Sequence, residues 1–359
     1  MTATLLALLA TGLAAGGGLL TLRLHRERGR EPDPAHLAMC PRYRNGRFEN
    51  EEPVPVSNMG PRFYVKFFLS RHRPPRPLPV TPVAASELPR PPAPLRAVWM
   101  GHSFVLVDVD GARFLFDPVY GPATPLPVNM FRFQAPPLPR EQLPDAGIDA
   151  VIVTHDHYDH LERSTLCHLA RKGLRIITPL GVGARLRGWG CPADSVTELD
   201  WHQSTDVGTV RVTATPARHF SGRSLNSRDG TLWASWVLRG PEHGVFFSAD
   251  GGYGRHFAAI GKQYGPFDLA CMETGAWDKR GPHAHQQPEE SVRACREVGG
   301  RVMLPIHWAA YDLSFHPWDE PILRASAAAR EQGVPLATPR MGEAWSPGMS
   351  TGPWWTDVR

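Results

Sequence analysis

One run of eight residues, Thr154–Leu161, holds three histidines and two aspartates at spacings that suit metal binding. In an extended backbone, residues two positions apart lie on the same side of the chain, so His155 and His157 can hold one ion together. The chain then turns, and Asp159 and His160 face a neighbouring point. Two adjacent ligand pairs predict two metal ions, and zinc accepts both imidazole and carboxylate ligands. The alternative is three surface histidines that share a turn.

The elements around this run must place it at the edge of a sheet. A short apolar strand is expected over 150–153, and a helix over 161–172 that ends at Gly173. Side chains that follow such a strand lie at its carboxyl end, where ligands usually bind in α/β proteins. An Asp-Gly hairpin over 104–116 and later strand and helix signals complete the pattern. The strands are expected over 174–177, 209–215, 231–238, 245–248 and 302–306, and the helices over 288–298 and 320–332. This order predicts two sheets with helices outside them.

The pattern HxHxDH after a short apolar strand resembles the metallo-β-lactamase superfamily. The resemblance implies an α/β fold of the αββα sandwich type, with two mixed sheets and helices on the outer faces. It also implies three more ligands in chain order, each at a strand end: His219, Asp250 and His307. Each has an ordinary alternative. His219 could be a surface histidine, Asp250 a turn-forming residue before two glycines, and His307 a core histidine satisfied by hydrogen bonds.

Three segments narrow the resemblance to one branch. Trp99–Ser103, Pro216–Arg223 and the stretch from Ile306 to Pro321 are similar to the N-acyl-phosphatidylethanolamine-hydrolysing phospholipase D branch, and the similarity extends from about Tyr43 to Glu343. The resemblance implies a role for each ligand. His155, His157 and His219 would hold the first zinc, Asp159, His160 and His307 the second, and Asp250 would bridge both ions and position the attacking hydroxide.

Two more histidines bear on the resemblance, and one stretch of the chain differs from the family pattern. His285 matches a family histidine near the substrate phosphate, which implies a catalytic and substrate-binding role. His102 is either an outer partner of a ligand or a structural, hydrogen-bonded histidine. Where the family often has tyrosine after Gly-Ala, this chain has Trp277, and Lys279–Pro282 replaces an aromatic-rich stretch. This departure leaves acyl-chain recognition open.

Charge and cysteine content exclude other classes of protein. The chain has 39 basic and 35 acidic residues, a net charge of +4, and four arginines and one glutamate before residue 31 supply +3 of it. A nearly neutral body argues against nucleic-acid binding, which depends on phosphate neutralisation. Five cysteines without a CxxC pair predict reduced thiols in a cytosolic protein.

The N-terminal region predicts a membrane segment. Residues 1–22 carry no charged side chain, and as a helix they would span about 33 Å, enough to cross a hydrocarbon core. Because the arginines follow this segment, the positive-inside rule predicts an inner-membrane protein whose catalytic domain faces the cytoplasm. A cleaved signal peptide or a loosely associated helix is the alternative. The predicted domains are the membrane segment 1–22, a basic and proline-rich strap 23–96, and a hydrolase domain 97–359.

These features predict a di-zinc phosphodiesterase. The resemblance implies that it cleaves N-acyl-phosphatidylethanolamine to N-acylethanolamine and phosphatidic acid, through a hydroxide that bridges the metals, with phospholipid and the membrane surface as partners. The same centre could instead serve a lactonase or another phosphodiesterase. A non-catalytic, membrane-tethered binding protein is the alternative from another class. The oligomeric state stays open, a homodimer included.

Overall fold

Most strands carry apolar residues on both faces and therefore need a covering layer on each side. A computed structural model describes residues 17–55, 61–69, 71–126, 131–224, 226–281 and 283–358. Within them, two β-sheets pack face to face and helices cover both outer sides. This is the predicted αββα sandwich.

The N-terminal region wraps the sandwich with short elements. The described chain begins inside helix α1, which ends at residue 28. There follow α2 (Pro34–Leu37), the hairpin β1 (Tyr43–Arg44) and β2 (Arg47–Phe48), α3 (Pro61–Leu69), and a 3-10 helix, Ala85–Glu87. Within the described ranges, no helix is both long and apolar enough to cross a bilayer. Residues 1–16 of the predicted membrane segment lie outside these ranges.

The first sheet is mixed and has seven strands. Six of them follow one another along the chain: β3 (Leu95–Trp99), β4 (Val105–Val109), β5 (Ala112–Phe116), β6 (Ala150–Ile152), β7 (Arg175–Pro179) and β8 (Val196–Leu199). Strands β3 to β5 are antiparallel, and β5 to β8 are parallel. A parallel arrangement brings the carboxyl ends of β5 and β6 to the same edge of the sheet.

The second sheet repeats this plan with six strands. They are β9 (Ser204–Val207), β10 (Val210–Thr215), β11 (Ser235–Arg239), β12 (Gly244–Phe247), β13 (Leu269–Glu273) and β14 (Met303–Ile306). Strands β9 to β12 are antiparallel, and β12 to β14 are parallel. The last strand, β15 (Ala344–Trp345), pairs with β3 at the edge of the first sheet.

Five helices cover the outer faces. On the first sheet lie α4 (Arg163–Arg171) and α5 (Val182–Gly188), and on the second lie α6 (His256–Tyr264), α7 (Pro288–Val298) and α8 (Glu320–Gln332). Further 3-10 helices in the described part of the chain are Arg140–Ala146, Ala193–Ser195 and Trp354–Val358.

The largest apolar core lies between the two sheets. Val105, Val107 and the other inward residues of the first sheet meet their counterparts on the second. Phe116 and Phe247 stack across the interface with ring centroids 4.1 Å apart. Residues one position along the strands, such as Leu106, face the outer helices instead, as the two-residue period of a strand requires. All five cysteines are free and buried.

Most predicted elements are present, with a few differences. Strand β11 begins at Ser235, because Leu232 and Ala234 donate their amides to Leu180 and Thr154 in the loops outside the sheet. Strand β3 begins at Leu95, two residues before the predicted start of the hydrolase domain. Helices α5 and α6 and strands β8, β9, β13 and β15 were not predicted.

Candidate metal centre

The histidine-rich run lies where the sequence places it, between the end of β6 and the start of α4. His219 follows β10, Asp250 follows β12 and His307 follows β14. All these positions come after the carboxyl end of a strand, and the sandwich brings them together at one edge. There the predicted ligands form two adjacent groups, with one carboxylate, that of Asp250, between them.

The first group consists of three imidazoles. One nitrogen each from His155, His157 and His219 lies within 4.8 Å of the other two. The His155 Nε2 and His157 Nδ1 atoms are 2.8 Å apart, and His219 Nε2 is 3.3 Å from the same Nδ1. This is the set that the sequence assigns to the first ion.

The second group contains a carboxylate and three imidazoles. Ligand atoms of His102, Asp159, His160 and His307 all lie within 4.8 Å of one another. The Asp159 Oδ2 atom is 3.4 Å from His160 Nε2 and 3.8 Å from His307 Nε2. Three of these residues are the predicted second set, and His102 joins them through Nε2, which is 3.1 Å from Asp159 Oδ2.

Asp250 lies between the two groups. Its Oδ2 atom is 3.0 Å from His160 Nε2 and 2.9 Å from His307 Nε2. It also forms a compact cluster with His155 and His160. One carboxylate within reach of both groups is the arrangement that a bridging ligand requires.

The residues fit a pair of divalent ions. Several ligand atoms at the centre are buried and have no hydrogen-bond partner among the described residues: His160 Nε2, His307 Nδ1 and Nε2, and Asp250 Oδ1. Buried polar atoms are nearly always paired, so a convergent set of unpaired ones fits the binding of a metal ion. Imidazole nitrogens with carboxylate oxygens form a donor set that zinc and other first-row metals accept.

The backbone is strained around the centre. His102, Asp117, Ala249 and His307 all adopt positive φ angles, between +40° and +65°. Each such residue costs about 1–3 kcal/mol, and residues of this kind cluster at functional sites. The loops of His102 and His307 are joined by two backbone hydrogen bonds, His102 N to Trp308 O and His307 N to His102 O. The surrounding contacts therefore hold these two histidines side by side, with ring centroids 4.1 Å apart.

Asp117 holds His160 in place, and sequence reasoning missed it. Its Oδ2 atom accepts a hydrogen bond from His160 Nδ1 at 2.7 Å and another from the Thr154 hydroxyl at 2.7 Å. The Thr154 amide donates to Oδ1. The proton on Nδ1 leaves Nε2 of His160 free to bind a metal. The available signal was an aspartate directly after β5, the parallel neighbour of β6.

We expect Asp117→Asn to weaken metal binding by about 10- to 100-fold. The uncharged amide is a weaker acceptor for the Nδ1 hydrogen of His160 than the carboxylate, so it holds the ring less firmly in the orientation that binds metal. Competition with a chromophoric chelator measures the affinity. Asp145→Asn, at an exposed position, serves as the control and should bind metal like the wild type. Equal affinity in the two variants would show that Asp117 does not position the ligand.

His285 reaches the centre together with a second unpredicted residue, Glu273. The His285 ring lies 5.3 Å from the His219 ring and 5.4 Å from the His307 ring, measured between centroids. Its Nδ1 contacts Glu273 Oε1, so Nδ1 carries the proton and Nε2 is free. Glu273 is fully buried, and its Oε2 accepts a hydrogen bond from the Gly251 amide beside Asp250. It ends β13, which the sequence reading did not identify.

Burial lowers the pKa of some histidines at the centre, whereas neighbouring carboxylates raise the pKa of others. Burial, with neighbouring imidazoles, lowers the pKa of His155 well below its usual range, and burial lowers the pKa of His157 to about 4. Neutral imidazole is the form that binds metal. Burial opposes protonation of His307 too, but the carboxylates of Asp250 and Asp159 raise its pKa to about 10 in the metal-free protein. A divalent ion would take the place of that proton.

The lowered pKa values predict that the metal-free protein loses stability in mild acid. Burial lowers the pKa of His102 to about 3 and those of His157 and His256 to about 4, whereas an unfolded histidine has a pKa of about 6.5. Between pH 6.5 and 4 the unfolded chain therefore binds more protons, so stability falls as pH falls. Neighbouring carboxylates raise the pKa of His160 and His307, so these two histidines oppose the change only near pH 6.5, where the unfolded histidines are still taking up protons.

Calorimetry of chelator-treated protein between pH 7 and pH 5 measures this effect. Burial raises the pKa of three carboxyl groups and so works in the opposite direction: Asp117, Asp229 and Glu273. Six histidines with lowered pKa values outweigh them: His102, His155, His157, His219, His256 and His316. A melting temperature that stays constant or rises toward pH 5 would contradict the expectation.

The chain is similar to proteins of known family. A family model described as the beta-lactamase superfamily domain matches residues 112–308, more than half of the chain. An uncharacterized protein of Mycobacterium tuberculosis is 42% identical over 327 residues, which cover 88% of this chain and 87% of that protein. The N-acyl-phosphatidylethanolamine-hydrolyzing phospholipase D 1 of Caenorhabditis elegans is 33% identical over 272 residues, 70% of this chain and 75% of that protein.

A solved structure supports the same fold. Igni18, a metallo hydrolase from the archaeon Ignicoccus hospitalis, superposes with a TM-score of 0.54 at 19% sequence identity and covers 70% of this chain and 97% of its own. The chain belongs to the beta-lactamase superfamily and has the metallo-β-lactamase fold. Within it, the chain is a metal-dependent hydrolase that resembles the N-acyl-phosphatidylethanolamine-hydrolysing phospholipase D branch. Both resemblances stated from the sequence are confirmed.

Proposed function

We propose that the protein is a di-zinc phosphodiesterase that hydrolyses N-acyl-phosphatidylethanolamine to N-acylethanolamine and phosphatidic acid. The observation that carries the proposal is the position of Asp250, whose carboxylate lies within reach of both ligand groups. The similarity to the nematode phospholipase D over 70% of the chain supports the choice of substrate.

The residues beside the metal centre divide the work of hydrolysis. Two bound zinc ions would supply Lewis acidity and a deprotonated water molecule at neutral pH. His285 is held by Glu273 at Nδ1, so its Nε2 can accept the proton that the attacking water loses. The same Nε2 can then donate that proton to a phosphoryl oxygen or return it to the departing alcohol oxygen. The bond from phosphorus to the ethanolamine oxygen breaks, water supplies the new oxygen on phosphorus, and the ethanolamine oxygen takes up the proton.

A narrow cleft beside the centre, with a volume of only about 20 Å³, is lined by both polar and apolar side chains. It runs from His102 and His307 past Leu313 and His316 to Trp318. Nearby, Trp277 stacks on His316 with ring centroids 5.5 Å apart. The tryptophan that replaces the family's usual tyrosine is therefore close enough to shape this wall of the cleft.

The rim near this cleft combines an aromatic ring with cations. The guanidinium of Arg280 lies 4.4 Å from the centre of the Phe315 ring, and the ammonium of Lys66 lies 5.3 Å from it. Phe315 also contacts His72, which lines the cleft. Arg280 also pairs with the Asp278 carboxylate. The rim therefore offers mainly the ammonium of Lys66 to a lipid phosphate, and an aromatic ring to the lipid chains.

We also propose that the protein works at a membrane surface, on the cytoplasmic face of the inner membrane as the sequence predicts. Helices α1 and α3 expose apolar side chains to solvent, among them Leu19, Leu22, Val65 and Leu69, each more than half exposed. A lipid surface would cover these side chains, and the arginines that follow them would face anionic head groups.

Incubating the zinc-loaded full chain with N-acyl-phosphatidylethanolamine, phosphatidylcholine, a sugar lactone and bis(p-nitrophenyl) phosphate tests the substrate. Mass spectrometry should find N-acylethanolamine and phosphatidic acid. In water enriched in oxygen-18, the label should enter phosphatidic acid and not the alcohol. His155→Ala should be inactive, whereas His36→Ala, at an exposed position on α2, should be fully active. A zinc-loaded protein that is inert on the lipid but opens the lactone would contradict the proposed substrate.

A further inference from the structure

A second cavity, of about 470 Å³, lies apart from the metal ligands, where the end of α1 meets α4 and α5. None of the candidate metal ligands lines it. Arginines dominate its wall: Arg26, Arg28 and Arg30 come from the N-terminal segment, and Arg163 and Arg171 from α4. Five arginines around one cavity give it a strongly positive potential.

The nearby acidic groups neutralise only part of this charge. Glu27 pairs with Arg163 at 3.0 Å, and Glu31 pairs with Arg185 at 2.8 Å and more distantly with Arg28. Among the described residues, the other three arginines of the wall form no ion pair: Arg26, Arg30 and Arg171. The Nε atom of Arg28 is buried without a hydrogen-bond acceptor. The cavity therefore has donors and positive charge in excess of its own acceptors.

The wall of the cavity is held in place by the rest of the fold. Trp189 Nε1 donates to the Arg26 carbonyl at 2.8 Å, and Arg223 donates to the Glu27 carbonyl through two nitrogens. These bonds satisfy carbonyls at the end of α1 that would otherwise add negative charge to the site. Arg223 in turn donates to the Asp156 carbonyl in the metal-binding run. The end of α1 is thus fixed against the hydrolase domain.

Two glycines permit the close approach that forms the cavity. Gly29 has φ +75°, and a Cβ atom there would lie 2.9 Å from Trp189 Nε1. A Cβ atom on Gly188 would lie 2.5 Å from Arg30 Cβ. Any larger side chain at either position would push the N-terminal segment away from α5. The cavity is therefore a defined feature of the packing between the two segments.

We propose that this cavity binds the phosphate group of an anionic phospholipid, at a site separate from the metal centre. Guanidinium groups match phosphate oxygens in charge and geometry. The apolar side chains of α1 directly before the cavity, including Leu22 and Leu24, are exposed, so a lipid bound through its phosphate could place its chains beside them. This inference rests on the proposed activity at a lipid surface. It assigns α1 a specific lipid in addition to general attraction to the membrane.

Co-sedimentation of the full chain with vesicles tests the site without relying on turnover. Vesicles of phosphatidylcholine alone are compared with vesicles that also contain phosphatidylglycerol. Replacing Arg26 and Arg171 together by glutamine should weaken binding to the anionic vesicles by about 10- to 30-fold, since each surface cation contributes on the order of 1 kcal/mol. Binding to phosphatidylcholine should not change. Metal content, measured in parallel, should equal that of the wild type.

The matched control removes the same charge elsewhere. Arg330 and Arg340 are exposed, and the double replacement of these two by glutamine should change vesicle binding by less than about twofold. Equal losses in the two double variants would overturn the proposal, because they would show only general charge attraction. Calorimetric titration with inorganic phosphate distinguishes free phosphate from a lipid head group as the ligand. If the Arg26/Arg171 double variant lost phosphate binding but bound anionic vesicles like the wild type, the lipid would not be the ligand.

Discussion

Asp250→Asn is expected to lower kcat by at least about a hundredfold and to reduce the metal content of the purified protein. The carboxylate contacts His160 and His307 and lies in one cluster with His155, so it can reach both of the proposed metal positions. An amide is a weaker, uncharged ligand, so the variant should lose metal stabilisation on the order of several kcal/mol. Because about 1.36 kcal/mol corresponds to a factor of ten in rate, this loss explains a decrease of at least about a hundredfold.

The control for this variant is Asp194→Asn, at an exposed position in a 3-10 helix, which should have wild-type kcat and metal content. Circular dichroism should show that both variants fold. If Asp250→Asn retained both activity and two equivalents of metal, the carboxylate would not be the bridging ligand and the assignment of the centre would be wrong.

Asp108→Ala is expected to lower the free energy of unfolding by about 3–5 kcal/mol. Asp108 and Arg113 are both fully buried between neighbouring strands β4 and β5. The carboxylate accepts two hydrogen bonds from the guanidinium, at 2.6 and 3.0 Å. Removal of the carboxylate leaves a buried cation whose charge is not compensated.

Urea denaturation measures the loss, and an exposed pair provides the control. Asp206 pairs with Arg211 on the surface, where both side chains are more than half exposed. Asp206→Ala should therefore leave the denaturation midpoint unchanged, because exposed ion pairs contribute little. A similar midpoint for Asp108→Ala would mean that the other acceptors of Arg113, the carbonyls of Ala146 and Pro89, are sufficient to stabilise its charge.

The sequence predicts those parts of the fold that carry clear local signals. Helix α7 starts with Pro288 and two glutamates and ends before Gly299, and α8 ends before Gly333, so both boundaries are readable. Helix α6 was not predicted, because its N-cap residue, Arg255, makes no side-chain capping bond and Gly261 lies inside the helix. Strand β13 is a short apolar run buried on both faces, and such a run has no period that separates strand from helix.

At the candidate site, too, only the residues with a local sequence pattern could be predicted from the residues themselves. Residues close together in sequence, such as His155 and His157, carry a spacing that predicts shared metal binding. His219 and Asp250 followed from the resemblance to a family, and the structure brings them to the same edge. Asp117 and Glu273 contact the predicted residues only through the tertiary fold, so no local pattern could identify their partners. The ion pairs that join the N-terminal segment to α4 and α5 have the same origin.

The metal content of the full-length protein tests the two-metal centre most directly. The protein is loaded with zinc, passed through gel filtration to remove unbound ions, and analysed by inductively coupled plasma mass spectrometry against its amino-acid content. We expect two zinc ions per chain. A protein that is folded by circular dichroism but retains no zinc, or only one ion per chain, would contradict the two-metal centre.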